Sequence, residues 1–195
     1  MINNMAMKLV IETVKARFPG VPYISTGELW QLMKKGSSSQ KLVLLDVREE
    51  KEFQVSHLCS ARHVDPSTKD MDSLMKTICE TGKSPEDSVQ VVCYCSVGYR
   101  SSALAQELLS EMRKPAYEEI KSKIRIYNLE GSIFKWANEG KDLEDNRGRK
   151  TTVAHPYSSL WGKLLYAELW CSEPSESDEN QEKDQNNSSP KSSKM

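Results

Sequence analysis

Apolar positions switch between two periods along the first 140 residues, and the switching predicts a chain of alternating helices and strands. Leu9, Val10, Ile11, Val14 and Phe18 recur at near-helical spacing over 5–18, and Pro19-Gly20 ends that helix. Tyr23 and Ile24 read as a short strand. Ser25 and Glu28 stand at capping-box spacing with Gly36 in the stop position, which predicts a helix between them. Beyond a polar loop at 37–40, residues 41–48 carry a continuous apolar centre, as a strand buried on both faces of a parallel sheet requires. A helix over 67–79 sets Met71, Leu74, Met75 and Ile78 on its inner side, and a turn at 84–87 leads into a strand over 89–94. A helix over 101–113 stops at Pro115. A strand over 124–129 and a helix over 133–138 complete the alternation. The expected fold class is therefore α/β, with a central mostly parallel sheet and helices on both faces.

Past Gly140 the pattern changes. The charged stretch 141–150 reads as a linker. Leu160, Trp161, Leu164, Leu165 and Leu169 then recur at helical spacing within 152–170. The expectation is an aromatic C-terminal helix whose apolar face packs back on the domain, the alternative being a face that recruits a partner. His155 and Pro156 are expected to shape the turn into it. From residue 172 the chain is Ser, Glu, Asp, Asn, Gln and Lys with almost nothing to bury, which predicts a disordered tail. The chain divides into an N-terminal helical extension (1–24), the α/β domain (25–142), linker and C-terminal helix (143–171), and tail (172–195).

The chemistry concentrates at VQVVCYCSVGYRSSALAQELL, residues 89–109. An apolar strand runs into a short loop opened by Cys95 and closed by Arg100, and a helix follows. A cysteine at the carboxyl end of a strand sits where open α/β sheets place their ligands. Loop amides and a helix N-terminus bind anions, and they also lower a thiol's pKa toward the reactive thiolate. Arg100 adds a permanent charge with fork geometry suited to an oxyanion. Gly98 supplies the backbone freedom of a tight loop. Ser96 brings a hydroxyl donor, and Val97 and Tyr99 complete the cradle, with Ser101 placed to cap the helix. The arrangement suits a nucleophilic sulfur beside a bound anion.

These residues resemble the rhodanese family. CSVGYR is similar to its six-residue active-site loop, with cysteine first, glycine fourth and arginine last. LLDVREEKEFQVSHLCSARHV, residues 44–64, resembles the family's early strand and the segment after it, through Asp46, Val47, Arg48, Glu52, Phe53, His57 and Ala61. NLEGSIFKWANEG, residues 128–140, resembles its last strand and helix, with Gly131, Trp136 and Gly140 in place. Three motifs in order are a far stronger signal than one. The resemblance implies a rhodanese-like domain over 25–142 and a sulfurtransferase with Cys95 as the persulfide carrier. Its substrates would be a small anionic sulfur donor such as thiosulfate and a thiol or cyanide acceptor, with a protein thiol among the acceptors. Related phosphatases use a loop one residue longer, so the count from Cys95 to Arg100 favours sulfur. Ser96 stands where the family often has a basic or amide residue, and Cys59, Ser60 and Glu130 also depart from it.

Two supporting residues carry open readings. Asp46 either fixes the catalytic loop by accepting its N–H bonds or is structural. Arg48 either attracts anions or pairs with Glu49 or Glu52. His57 is expected to pack and turn the chain.

Composition narrows the classes. A net charge of -1 gives no reason to expect nucleic acid or a membrane surface as partner, and no apolar run is long enough to span a bilayer. No cofactor is expected. Five scattered cysteines do not form a disulfide framework and suit a reducing compartment, so the cytoplasm is expected, with mitochondria the alternative. Cys93 and Cys95 form a C-x-C without a second pair at ligand spacing, so no metal site is expected. Cys93 reads as a buried strand residue, its alternative being a resolving thiol for an oxidised Cys95, a role open to Cys59 too. A non-catalytic binding module and a redox sensor remain the competing functions on such a fold.

Overall fold

Alternation along three strands divides the interior into two cores. Val43 and Leu45, Val89, Val91 and Cys93, and Ile124 and Ile126 point to one face of a sheet, while Leu44, Val92, Tyr94 and Leu129 point to the other. A parallel sheet must bury both faces, and helices cover each. The computed structural model describes residues 2–36, 40–82, 84 and 87–175. In chain order the elements are α1 (Ile2–Arg17), β1 (Tyr23–Ile24), α2 (Thr26–Lys35), β2 (Gln40–Asp46), α3 (Glu50–Val55), β3 (Arg62–His63) and α4 (Met71–Thr81). Then come β4 (Ser88–Tyr94), α5 (Tyr99–Glu111), β5 (Ile124–Leu129), α6 (Ser132–Asn138), β6 (Leu143–Glu144) and β7 (Lys150–Thr151). The main sheet has five strands in the order β1-β5-β4-β2-β3, every pair parallel. This is the α/β architecture expected from the sequence.

Helices α4 and α5 supply Met71, Met75, Ile78, Leu104 and Leu108 to the first core; α2 and α6 supply Leu29, Ile133, Phe134 and Trp136 to the second. Helix α1 enters both, through Val14 on one side and Met7 and Ile11 on the other. Ser25 and Glu28 form the expected capping box at the start of α2. Helix α4 begins at Met71 behind Asp70, whose side chain accepts the Ser73 N–H, so the segment from residue 67 joins the helix late.

Two expectations for the C-terminal third need correction. The charged stretch 141–150 is no linker: β6 and β7 pair antiparallel within it, and His57 and Glu144 exchange backbone hydrogen bonds at 2.8 Å. The apolar segment at 152–170 is not an α-helix either. It folds as two single 3-10 turns, Trp161–Leu164 and Ala167–Leu169, which bury Leu164 and Leu165 and leave Leu160, Trp161 and Trp170 substantially exposed. Pairing of Ala154 with Trp170 bends this segment back on itself, which a continuous helix does not allow. The loop expected at 37–40 lies largely outside the described residues, as do parts of the turn at 84–87 and the tail from 176 onward. Among the described residues no helix is long and apolar enough to cross a membrane.

Candidate active site

Strand β4 lies between β5 and β2. The chain leaves β4 through α5 toward β5, and leaves β2 through α3 toward β3, so the two connections diverge. Such a switch point opens a crevice at the carboxyl ends of the strands, where open α/β sheets bind ligands. Cys95 follows β4 there, and Glu52 comes from the helix after β2.

The loop is held from both sides. Gly98 caps α5 with φ of 109°, a left-handed conformation, and a Cβ at this position would stand 3.1 Å from Asn128 Nδ2. Its N–H donates to Cys95 Sγ at 3.2 Å. From the other side, the Cys95 N–H donates to Ser132 Oγ at 3.2 Å, and the first amides of α6, Ile133 and Phe134, donate to the carbonyls of Cys95 and Ser96 at 3.1 Å each. Helix α5 begins at Tyr99, earlier than the sequence pattern indicates, because Gly98 can adopt the capping conformation. Ser101 is therefore inside the first turn and does not cap it.

Electrostatics set the two sulfurs of the C-x-C apart. Burial pushes the Cys95 thiol up, but the Arg100 charge, the Ser101 hydroxyl and the amides of Ser101 and Gly98 outweigh it, and its pKa lies below the ordinary thiol value. Ser101 Oγ is buried and makes no hydrogen bond of normal geometry, which leaves its proton free to turn toward a thiolate. Cys93 is the opposite case. Fully buried in the first core, with the charge of Cys95 adding to the effect, its thiol is pushed up to about 12.

Arg100 does not wait unpaired. Its Nη1 and Nη2 donate to the two Glu52 carboxylate oxygens at 2.9 and 3.1 Å, and Nη2 also donates to Ser96 Oγ at 2.9 Å. Ser96 Oγ donates in turn to Glu52 at 2.9 Å, so the hydroxyl expected to meet an oxyanion serves the Arg100–Glu52 pair. Burial raises the Glu52 carboxyl, yet Arg100, Arg48 and the Glu49 amide hold it below the ordinary carboxylate range. Tyr157 lays its ring over Arg100, 4.7 Å from Cζ to the centroid. Val97 is buried in the second core, while Tyr99 turns outward with its ring edge-on to Phe18.

The expected supporting pair is present but differently wired. Asp46 accepts from the backbone N–H, Nε and Nη2 of Arg48, and Arg48 Nη2 also donates to the Ser56 carbonyl at 2.6 Å. Both side chains are fully buried. Arg48 therefore neither pairs with Glu49 or Glu52 nor faces solvent to attract anions, and Asp46 braces Arg48 where loop amides were expected. His57 stacks on Phe53 with centroids 4.0 Å apart, a packing role. Cys59 is exposed beside Glu144, whose carboxylate raises its thiol pKa.

Sequence reasoning missed Glu52, Ser132 and Tyr157 as site residues. Glu52 carried a signal: it shares a helical face with buried Val55 three residues on, which puts a carboxylate on the inward side. Ser132 follows Gly131 at a helix start, and its positive φ of 52° was not readable from its residue type. Tyr157 had no local signal. A recess of ≈ 710 Å³ lies between α1 and the C-terminal turns, lined by Val10, Leu160, Trp161 and Leu164, and contains no cysteine. Among the described residues no cluster of three His, Cys, Asp or Glu side chains is arranged to hold a metal ion.

Comparison with known proteins bears on the family and the fold. The sequence pattern of the rhodanese-like domain matches residues 25–139. The thiosulfate sulfurtransferase GlpE of Coxiella burnetii is 28% identical over 97 residues, covering 50% of this chain and 78% of the relative. Among solved structures, yeast Ygr203w, described as a protein tyrosine phosphatase of the rhodanese family, aligns with a TM-score of 0.51 at 20% identity, over 60% of this chain and 83% of its own. An As-Sb reductase from Leishmania major aligns with a TM-score of 0.47 at 20% identity, over 58% of this chain and 74% of that one. The yeast likeness speaks to fold alone. With its family pattern spanning more than half of the sequence and its cysteine loop at the sheet's switch point, the chain belongs to the rhodanese-like domain family.

Proposed function

We propose that this protein is a sulfurtransferase that carries sulfane sulfur as a persulfide on Cys95. The observation that carries the reading is the placement of Cys95 Sγ at the head of α5, where it accepts the Gly98 N–H at 3.2 Å; the nearby Arg100 charge and the Ser101 groups outweigh burial and lower its thiol pKa. The Cys95 thiolate attacks the outer sulfur of a donor such as thiosulfate; the donor's S–S bond breaks and sulfite leaves with the electron pair. Loop amides and Arg100 stabilise the departing oxyanion. Cyanide or a thiol, on a small molecule or on a protein, then attacks the outer sulfur of the persulfide and regenerates the thiolate. Ser96, Val97, Gly98, Tyr99 and Arg100 form the donor-binding loop, with Asp46, Arg48 and Ser101 in support. Five free cysteines support a reducing compartment such as the cytoplasm.

The test is intact-mass measurement after incubation with thiosulfate, for the wild type and Cys95→Ser. The expected result is a gain of one sulfur atom, reversed by cyanide and absent from the variant. A wild type that takes up no sulfur from thiosulfate or any other sulfane donor would overturn the reading. Hydrolysis of an aryl phosphate, lost on replacing Cys95, would replace it with a phosphatase.

A further inference from the structure

The family match ends at residue 139, yet the chain beyond it returns to the cysteine loop. The residues after β7 are tied down at several points. Ser56 Oγ donates to the Val153 carbonyl at 2.7 Å, and Ala154 bridges to Trp170. The buried His155 accepts the Tyr157 N–H on Nδ1 at 3.0 Å. Tyr157 then adopts φ of 62°, a left-handed backbone that residues with side chains rarely hold. Strain of this kind persists only where surrounding structure imposes it, and it clusters at functional sites. Here it delivers an aromatic ring that stays 43% exposed, so it does not fill a core. The ring ends over the guanidinium of Arg100, within cation–π range.

We propose that Tyr157, carried on a segment outside the family unit, is a positioning residue for Arg100: its ring covers one face of the guanidinium while Glu52 holds the edge, and together they keep the cation beside Cys95. Glu52 alone does not suffice for this. A donor's oxyanion draws on the same guanidinium whose Nη1 and Nη2 already engage Glu52. As the guanidinium turns from carboxylate to anion, the ring is the contact that stays with its plane. The charged and titratable groups facing Arg100 are Glu49 and Glu52 from around α3, Cys95 from the loop and Tyr157 from the C-terminal segment, with His155 near Glu52.

The experiment compares Tyr157→Ala, Tyr157→Phe and Tyr157→Gly in the full chain. One arm follows the pH profile of Cys95 alkylation by iodoacetamide, read by peptide mass, and does not depend on sulfur transfer. The other arm measures turnover with thiosulfate and cyanide, and rests on the sulfurtransferase reading. In Tyr157→Ala the alkylation midpoint moves to higher pH, because the cation near the sulfur is no longer fixed. Its kcat/KM for thiosulfate falls about fivefold, the scale of a partly exposed cation–π contact. Tyr157→Phe keeps the wild-type behaviour, since the ring face is what acts. Tyr157→Gly relieves the backbone strain, so it reproduces the alkylation shift without a lower Tm. An alkylation profile of Tyr157→Ala that coincides with wild type overturns the proposal, as does a shift in Tyr157→Phe equal to that in Tyr157→Ala, or a shift in Tyr157→Gly accompanied by lost stability. If the wild type takes no sulfur from any donor, the function falls and the alkylation arm still judges Tyr157.

Discussion

Glu52→Gln should weaken the fold and strengthen anion binding at once. The Glu52 carboxylate is fully buried and holds both terminal nitrogens of Arg100, whose own side chain is 22% exposed. Removing one partner of a fully buried ion pair costs roughly 3–5 kcal/mol. Arg100 keeps some access to water and the glutamine oxygen still accepts one bond, so a loss of about 2 kcal/mol is expected after that discount. The same change removes the negative charge that an anionic donor must share. Unit charges about 4 Å apart interact by roughly 4 kcal/mol at an effective dielectric near 20. If solvent screening leaves a third of that, the KM for thiosulfate falls about tenfold. Urea unfolding followed by tryptophan fluorescence reads the first effect, and steady-state kinetics the second. The sign with pH follows from the depressed carboxyl. Its stabilisation is fully present above the unfolded value of about 4.5 and is lost as pH falls through the lower folded value. The wild type therefore loses this contribution in acid, and Glu52→Gln lacks it at every pH. A variant as stable as wild type with an unchanged or raised thiosulfate KM would refute the argument that Glu52 is the resident counter-charge of Arg100.

Two further expectations follow from the wiring of the site. Asp46→Asn strips the counter-charge from a fully buried Arg48 and should cost roughly 3–5 kcal/mol, read as a fall in the urea midpoint; a loss under about 1 kcal/mol would mean that the Ser56 carbonyl alone satisfies the guanidinium. Cys95 should react with iodoacetamide with a pH midpoint below that of an ordinary thiol, while Cys93, its pKa pushed up to about 12, stays unmodified in the folded protein; equal labelling of the two would contradict the electrostatic assignment.

Features with local physical causes were legible in the chain. The capping box at Ser25 and Glu28, the apolar runs of β2, β4 and β5, and the glycine that allows α5 to start at the cysteine loop all follow from neighbours within a few residues. Two short elements were not: α3 has six residues and β3 two, too few for a period to stand out, although the two-residue β1 was read from Tyr23 and Ile24. The stretches at 141–150 and 152–170 misled for a different reason. Charge suggested a linker and leucine spacing a helix, but backbone pairing of Glu144 with His57 and of Ala154 with Trp170 overrode both local preferences.

What the sequence by itself determined was the loop that runs from Cys95 to Arg100 and the order of the elements that carry it. A cysteine, a glycine and an arginine at fixed offsets between an apolar strand and a helix allow little else, because a tight loop constrains its own residues. The tertiary structure decided everything that depends on residues distant along the chain. It set Glu52 against Arg100 across 48 positions, moved Ser96 from oxyanion donor to partner of that pair, and assigned Asp46 to Arg48. It also brought Tyr157 back over the site from beyond the family unit. Charge neutralisation and stacking act through space, and the strand order that brings β2 and β4 side by side, with the segment after β7 folded over them, creates the proximity those forces need.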